Sequence, residues 1–255
     1  MQVVVTAAGS ALGQSVLRAL AARGALRRAD GEPVPIRRII AVDRVQPPGL
    51  FLDARIEYVR GDYEMSRFLA RMMGTITDSV FHLAALGAGF AESGSPADLD
   101  TALLHSLDTT RALLEACGFQ TAIPKLILAS TMDAHTERGV MPLDTNGVCA
   151  ALCELVLLES HRRGLIDLRS VRLPCLAGDR SSAAAIALLS QLHELAAGQA
   201  RPGAAHALTA VPVLGLAQAA DALLQAHELS SATPESGRFF EIPGRHERLG
   251  DLLTA

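Results

Sequence analysis

Thr6-Ala7-Ala8-Gly9-Ser10-Ala11-Leu12-Gly13 is the stretch on which the fold turns. It follows a short β-branched run, Gln2 to Thr6. It leads into a helical pattern, Ala11 to Arg23, with Val16, Leu17 and Leu20 on one face. A strand that passes through a glycine-bearing turn into a helix lets a pyrophosphate approach backbone N–H groups at the helix N-terminus. A strand-turn-helix that holds no ligand is the bland alternative. An alanine held at positive φ costs on the order of 1 kcal/mol. Ser10 places a Cβ where the pyrophosphate would lie, although its hydroxyl could donate to a phosphate oxygen. The cofactor-binding set read from this turn is Ala7, Gly9, Ser10, Ala11, Leu12 and Gly13.

Outward from the turn, strands and helices alternate. Strand patterns cover Arg38 to Asp43, Ile56 to Val59, Asp78 to Ala85 (running into a loop), Lys125 to Ser130 and Leu168 to Leu173. Helical patterns cover Met65 to Met73, Leu99 to Cys117 and Asn146 to Arg163. Alternation of this kind predicts parallel β-α-β units in an α/β fold with a doubly wound sheet covered on both faces. After Pro174 the pattern loosens. A helix is expected over Ala183 to Ala197, a loop with a short strand over Ala200 to Pro212, a helix over Leu214 to Leu229 and a strand over Arg238 to Ile242. Residues 1–174 therefore read as a Rossmann-like dinucleotide-binding domain, and 175–255 as a small C-terminal lobe interleaved with it.

The bulk properties exclude several classes. The chain has 255 residues, enough for one α/β domain with a small appendage. Hydrophobic residues make up 49% and mean hydropathy is +0.27, which suits doubly covered strands and an apolar oligomer interface. No apolar run approaches the ~20 residues that span a bilayer, and no leader pattern precedes the first strand, so a cytoplasmic location is expected. Net charge is −4 with no basic block, which argues against nucleic acid. Cys149 and Cys153 share a helical face and could supply two metal ligands, but no nearby His or acid completes a set. Together with Cys117 and Cys175 they read as buried thiols in a reducing compartment, with no metal. Asp43 ends its strand where an acid accepts both ribose hydroxyls of NAD and repels a 2′-phosphate. A solvated strand-end cap is the alternative.

The turn resembles the T-G-x-x-G-x-x-G loop of the extended short-chain dehydrogenase/reductase (NAD-dependent epimerase/dehydratase) family. Gly13 stands in register with the third family glycine, Ala7 and Ser10 replace the first two, and Gly9 falls between. The likeness runs from Gln2 to Gly244 and includes Thr110 to Cys117, Arg172-Leu173-Pro174 and Ile242-Pro243-Gly244. Within the family the chain looks most like the branch of sugar-acid (erythronate-type) dehydrogenases and nucleotide-sugar epimerases. The resemblance implies that Asp62 contacts adenine and that Leu83, Ala84 and Ala85 line the cofactor, with His82 structural. It also implies further elements of a substrate lobe beyond the C-terminal residue, so the lobe is expected to be truncated. Family members usually pair through the two helices here written 99–117 and 146–163. Val148, Ala151, Leu152, Leu155, Val156 and Leu158 make the second apolar around much of its circumference, so a homodimer or a heterodimer with a related subunit is expected.

The departures fall at the chemistry. The family Tyr-x-x-x-Lys pair reads Asn146 and Ala150, and the supporting helix asparagine reads Ser106. In the family, the lysine lowers the tyrosine pKa so that a phenolate takes the substrate hydroxyl proton. Asparagine has no proton to trade in that range. The chain has two tyrosines, Tyr58 and Tyr63, and one lysine, Lys125, none near that helix. General acid–base help is typically about 10²–10⁴-fold, so ordinary hydride transfer is not expected. Thr131, with Ser130 beside it, stands at the family Ser/Thr position. Asp133 and His135 follow on the same loop as candidate acid–base groups. Three readings remain open. The first is a catalytically impaired binding or subunit-partner protein with weak or absent NAD binding. The second is an atypical NAD-dependent oxidoreductase or epimerase on a sugar or sugar acid. The third is a non-redox enzyme using Thr131, Asp133 and His135.

Overall fold

A computed structural model describes residues 1–28, 31–45, 49–86, 96–134, 145–177, 210–232 and 234–248. Its centre is a sheet of seven parallel strands. In chain order these are β1 (Gln2–Thr6), β4 (Arg38–Asp43), β5 (Ile56–Arg60), β6 (Ser79–His82), β7 (Lys125–Thr131), β8 (Asp167–Leu173) and β11 (Phe239–Glu241). Their order across the sheet is β11-β8-β7-β6-β1-β4-β5. The chain leaves β1 toward β4 and later returns to β6 on its other side. The strand order therefore reverses at β1, and a crevice opens at the carboxyl ends of the strands there.

Alternation along each strand sends side chains to two cores. Val3 and Val5 of β1 face α1 (Ala11–Arg23), through Leu12, Val16, Leu17 and Leu20. They also face α5 (Leu216–His227), through Ala220, Leu223 and Leu224. Val4 faces the other layer, formed by α2 (Ser66–Met73), α3 (Pro96–Cys117) and α4 (Thr145–Arg162). These strands are apolar on both sides because both sides are covered. Truncating a fully buried side chain such as Leu17 to alanine would cost about 2–5 kcal/mol. Helix α1 starts and stops where the pattern predicts. Ser10 caps its N-terminus, and Gly24, at φ 71°, ends it with its N–H on the Leu20 carbonyl.

Two features differ from the sequence reading, and a third gives the interleaving after Pro174 its detail. A short hairpin, β2 (Ala25–Arg27) with β3 (Pro33–Pro35), follows α1; two prolines in three residues hide it from any alternation test. Leu214 and Gly215 close β10 (Ala210–Gly215) instead of opening a helix, and α5 begins at Leu216. The segment after Pro174 divides between two bodies. Strands β9 (Cys175–Ala177), β10 and β12 (Arg245–Arg248) form a separate sheet in the order β12-β10-β9, while α5 and β11 return to the main domain. A cut at residue 174 would strip the cover from β6 to β8 on the α5 side. The helix expected over 183–197 and the loop over 200–209 lie outside the described residues. Among the described residues no helix is long and apolar enough to cross a membrane.

At the amino ends of β7 and β8 lies a buried ionic cluster that sequence periodicity does not signal. Asp167 accepts Nη1 of Arg169 at 2.7 Å, Nη1 of Arg238 at 2.6 Å and the Ser231 hydroxyl at 2.6 Å. The Nη2 nitrogens donate to main-chain carbonyls just beyond α5, Arg169 to Ser230 at 2.6 Å and Arg238 to Ser231 at 2.8 Å, while Nε of each is buried without a partner. Lys125 donates to the His227 carbonyl at 2.8 Å. Three cations thus meet the electronegative end of α5, the end that favours them.

Candidate functional site

The turn after β1 is wound tightly. Ala7 sits at φ 50°, and among the described residues it is the one non-glycine at positive φ. This is the strained alanine anticipated from the sequence. The Ser10 N–H closes the turn on the Ala7 carbonyl at 3.1 Å, and the Ala8 N–H donates to Val42 of β4 at 3.1 Å. Gly13 has no alternative: a Cβ there would lie 2.4 Å from the Ala7 oxygen and 2.8 Å from the Ala8 Cα. The Ser10 hydroxyl is drawn inward, accepting from the Gly13 N–H at 3.0 Å as the helix cap. Its primary partner is therefore the helix, and only its remaining proton is left for a phosphate.

Asp43 binds this turn to β4. Its Oδ2 accepts the Gly9 N–H at 2.7 Å and its Oδ1 accepts the Val45 N–H at 3.2 Å. A carboxylate offers about four lone-pair sites, so two bonds leave capacity for ribose hydroxyls. Between the turn and β5 opens a shallow cleft lined by Gly9, Ala41, Asp43, Leu50, Tyr58 and Arg60. The Tyr58 hydroxyl is used in the wall, donating to the Phe51 carbonyl at 2.6 Å. Small side chains at Ala7, Ala8 and Ala84, a capped helix start at Ala11 and Leu12, and a carboxylate with spare acceptors fit the adenosine and pyrophosphate of a dinucleotide.

Asp62 lies at the same strand edge, but its carboxylate is turned to Arg44. Nε and Nη2 of Arg44 donate to Asp62 Oδ1 at 3.2 and 3.0 Å. Arg44 also meets Glu64, and its guanidinium stacks over the Tyr63 ring at 5.0 Å. Tyr63 is buried against this group. Burial, and after it the nearby Asp43, pushes its phenol up to about 12, the opposite of an activated proton acceptor.

Leu83, Ala84 and Ala85 follow β6 and are buried beside the turn. Their position is set from below. The Thr6 hydroxyl oxygen accepts the Leu83 and Ala84 N–H groups at 3.1 and 3.2 Å. His82 lies between Thr6, 3.0 Å from Nδ1, and Thr110 of α3, 3.1 Å from Nε2. Thr110 donates its proton to the Ser106 carbonyl, which assigns the His82 proton to Nε2. Burial lowers the His82 pKa to about 3, so the ring is a neutral tie joining β1, β6 and α3.

The other half of the crevice holds the departures. Thr131 ends β7; its hydroxyl donates to Asp133 Oδ2 at 3.0 Å and accepts the Asp133 N–H at 3.2 Å. The third member of that set, His135, lies outside the described residues. Asn146 is half-buried in the first turn of α4, and Ala150 is buried on the face toward the sheet. One turn further on that face, Glu154 accepts from Ser170 at 2.9 Å and from Nη2 of Arg172 at 2.7 Å. That ion pair holds α4 against β8, raises the Arg172 pKa through the Glu154 hydrogen bond, and leaves Arg172 committed. Lys125 is at the opposite edge of the sheet, as its strand position implies. The thiols of Cys117 and Cys153 are pushed up by burial to about 12 and about 11, so they are inert. The contacts of Arg44 and Glu154 were not anticipated. The adjacency of Arg44 to Asp43, and a glutamate on the apolar face of α4, were the available signals.

A parallel sheet reversing at β1, a tight turn into a capped helix and a strand-end carboxylate define a Rossmann-type dinucleotide-binding protein. No protein-family model matches the chain. The chain is 32% identical to the D-erythronate dehydrogenase of Cupriavidus necator over 267 residues, covering all of this chain and 81% of that protein. It is 27% identical over 203 residues to the D-erythronate dehydrogenase of Haemophilus influenzae, covering 75% of this chain and 61% of that one. It therefore belongs to the extended short-chain dehydrogenase/reductase family, in the erythronate-type branch. Solved structures agree on the fold. A nucleoside-diphosphate-sugar epimerase from Agrobacterium tumefaciens superposes with a TM-score of 0.73 at 22% identity, covering 98% of this chain and 75% of that one. A dTDP-glucose 4,6-dehydratase (DesIV) double mutant from Streptomyces venezuelae gives 0.75 at 18% identity, covering 100% and 80%.

Proposed function

We propose that this chain binds NAD(H) and a small sugar acid but does not run its family's proton relay. The observation that carries the reading is the pair Asn146 and Ala150 on α4, with Tyr58, Tyr63 and Lys125 all committed elsewhere. Asp43 would hold the adenosine ribose, and Gly9, Ser10 and the start of α1 the pyrophosphate. Leu83 to Ala85 would form the wall between β6 and α3, and Thr131 would hold the substrate hydroxyl. A bound nicotinamide supplies the hydride-accepting ring. The chain itself has no group at 146 or 150 to take the substrate proton. The strained Ala7 and the inward Ser10 favour weak binding, and Asp43 favours NAD over NADP.

A second reading, turnover of a D-erythronate-like sugar acid by other groups, is favoured by the resemblance to the Cupriavidus enzyme over the whole chain. Asp133, beside Thr131, is its candidate base. One pair of measurements separates the readings. The chain is free of tryptophan, so NADH fluorescence reports binding cleanly, and NAD reduction with D-erythronate reports turnover. Saturable NADH binding without NAD reduction supports the first reading; robust reduction by the wild-type chain overturns it. A binding or subunit role also needs a partner surface, and we propose pairing of this chain, with itself or a related subunit, through the outer faces of α3 and α4.

A further inference from the structure

Arg44 lies one residue beyond Asp43. From that position a guanidinium can reach the 2′ position of an adenosine held by the Asp43 carboxylate. An arginine there ordinarily welcomes a 2′-phosphate. Here the guanidinium is turned away and matched. Two of its nitrogens donate to Asp62 Oδ1 at 3.2 and 3.0 Å, one of these also meets Glu64 Oε1, and the third lies 3.1 Å from His105 Nδ1. Glu64 Oε1 accepts the His105 Nδ1 proton at 2.5 Å, so the Arg44 charge is matched by the two carboxylates and not by the imidazole. The buried Tyr63 ring supports the guanidinium from one side, and Arg60 donates to the Arg44 carbonyl at 3.2 Å, fixing the backbone that carries it. The Arg44 side chain is 35% exposed, so a ligand in the crevice can approach it.

We propose that Asp62 and Glu64 form a clamp that withholds Arg44 from a 2′-phosphate. Selection for NAD over NADP is then made by three carboxylates and not by Asp43 alone. The inference rests on the reading of the crevice as an NAD site. Asp43 repels the phosphate directly. Asp62 and Glu64 act one step back, since a 2′-phosphate must break the Arg44 contacts before it gains the cation. Removing the Asp43 charge alone therefore opens the position without supplying its positive partner.

Fluorescence titrations with NADH and NADPH test this, with the ratio of the two affinities as the readout so that any general loss cancels. The variants are D43N, D43N/D62N/E64Q and the latter combined with R44A, with unfolding midpoints checking that each is folded. The D43N change should shift the ratio toward NADPH. Adding D62N/E64Q should shift it about tenfold further, the scale of one freed charge-assisted contact, and R44A should cancel that second step. The clamp is overturned if D43N alone gives the whole shift, or if the second step survives in R44A. Wild-type protein that binds NADH while the freed Arg44 adds nothing refutes the clamp alone. Wild-type protein that binds neither nucleotide refutes the NAD site and the clamp with it.

Discussion

Ala7 is a residue whose conformation its own side chain opposes. At φ 50° an alanine carries a Cβ where glycine carries none. Ala7→Gly should raise unfolding stability by less than about 1 kcal/mol, since the greater freedom of glycine in the unfolded chain offsets part of the relief. It should also tighten NADH binding. Urea unfolding and an NADH titration check the two effects, and an unchanged midpoint would mean that the surrounding turn, not the residue, sets the conformation. Asn146 and Ala150 belong to the same scale. Restoring both groups as N146Y/A150K should produce D-erythronate-dependent NAD reduction at least about 10²-fold above the wild-type chain. No gain would show that the substrate side of the crevice is altered as well. At this scale the sequence was informative wherever a residue type is nearly obligatory, as at Gly13. It was silent on side-chain direction, so Ser10 read as facing a phosphate although its lone pair caps α1.

Helix α4 is apolar on more than one side. Its buried side carries Cys149, Ala150, Cys153 and Leu157 together with Gly147, Glu154 and Ser160, while Leu155 and Val156 are 62% and 40% exposed. Leu104 on the neighbouring α3 is exposed as well. Glu154 can lie inward because Arg172 and Ser170 satisfy it. The outward leucine has no such account within one chain. Leu158, which the sequence places with the outward set, instead packs against the inner core. The surface test is therefore L155E/V156E. If α3 and α4 pair as proposed, the wild-type protein should scatter light as a dimer at micromolar concentration and the double variant as a monomer. A wild-type monomer would count against self-pairing through this face. Element positions were legible because the 3.6-residue period survives in α1 and short continuous apolar runs mark β1 and β4. The hairpin after α1 was not, since three-residue strands hold too few side chains to show a period.

Across the whole molecule, buried neutral histidines couple the fold to pH. Burial lowers the pKa of His82 to about 3 and that of His227 below its usual value. Both groups stay neutral in the folded chain and take up protons on unfolding once the pH is below about 6.5. A group with a depressed folded pKa contributes stability above its unfolded pKa and loses it as pH falls. Unfolding free energy should therefore decline from about pH 6.5 downward, by up to about 1.4 kcal/mol per pH unit for each histidine. Urea midpoints measured between neutral and mildly acid pH check this; half the slope would mean that one ring is already charged in the folded state, and a flat profile that neither ring couples folding to pH. Sheet order and layering followed from the alternation of elements. The Asp167 cluster did not, because its partners stand 71 positions apart in the chain and no local pattern links them.

The Asp167 cluster also bears on the order in which the protein can be made. During synthesis β7 and β8 emerge with Lys125, Asp167 and Arg169 in place, but the carbonyls that receive the two cations belong to residues 227–230, and Arg238 comes later still. Until then Arg169 has only the neighbouring carboxylate and Leu168 carbonyl for company. The α5 face of β7 and β8, including Ile127 and Val171, is also without its cover. A nascent chain halted before residue 216 would leave apolar strand surface exposed, and burying the Arg169 guanidinium without its carbonyl acceptors would be costly, a combination that favours staying open. β1 and α1 share the wait for α5, since Val3, Val5, Leu17 and Leu20 pack on Leu223 and Leu224, but they take no part in the ionic cluster. Closure of this layer therefore waits for α5, and neutralisation of the cluster waits for Arg238. Ribosome-stalled lengths on either side of residue 238 would make that delay visible.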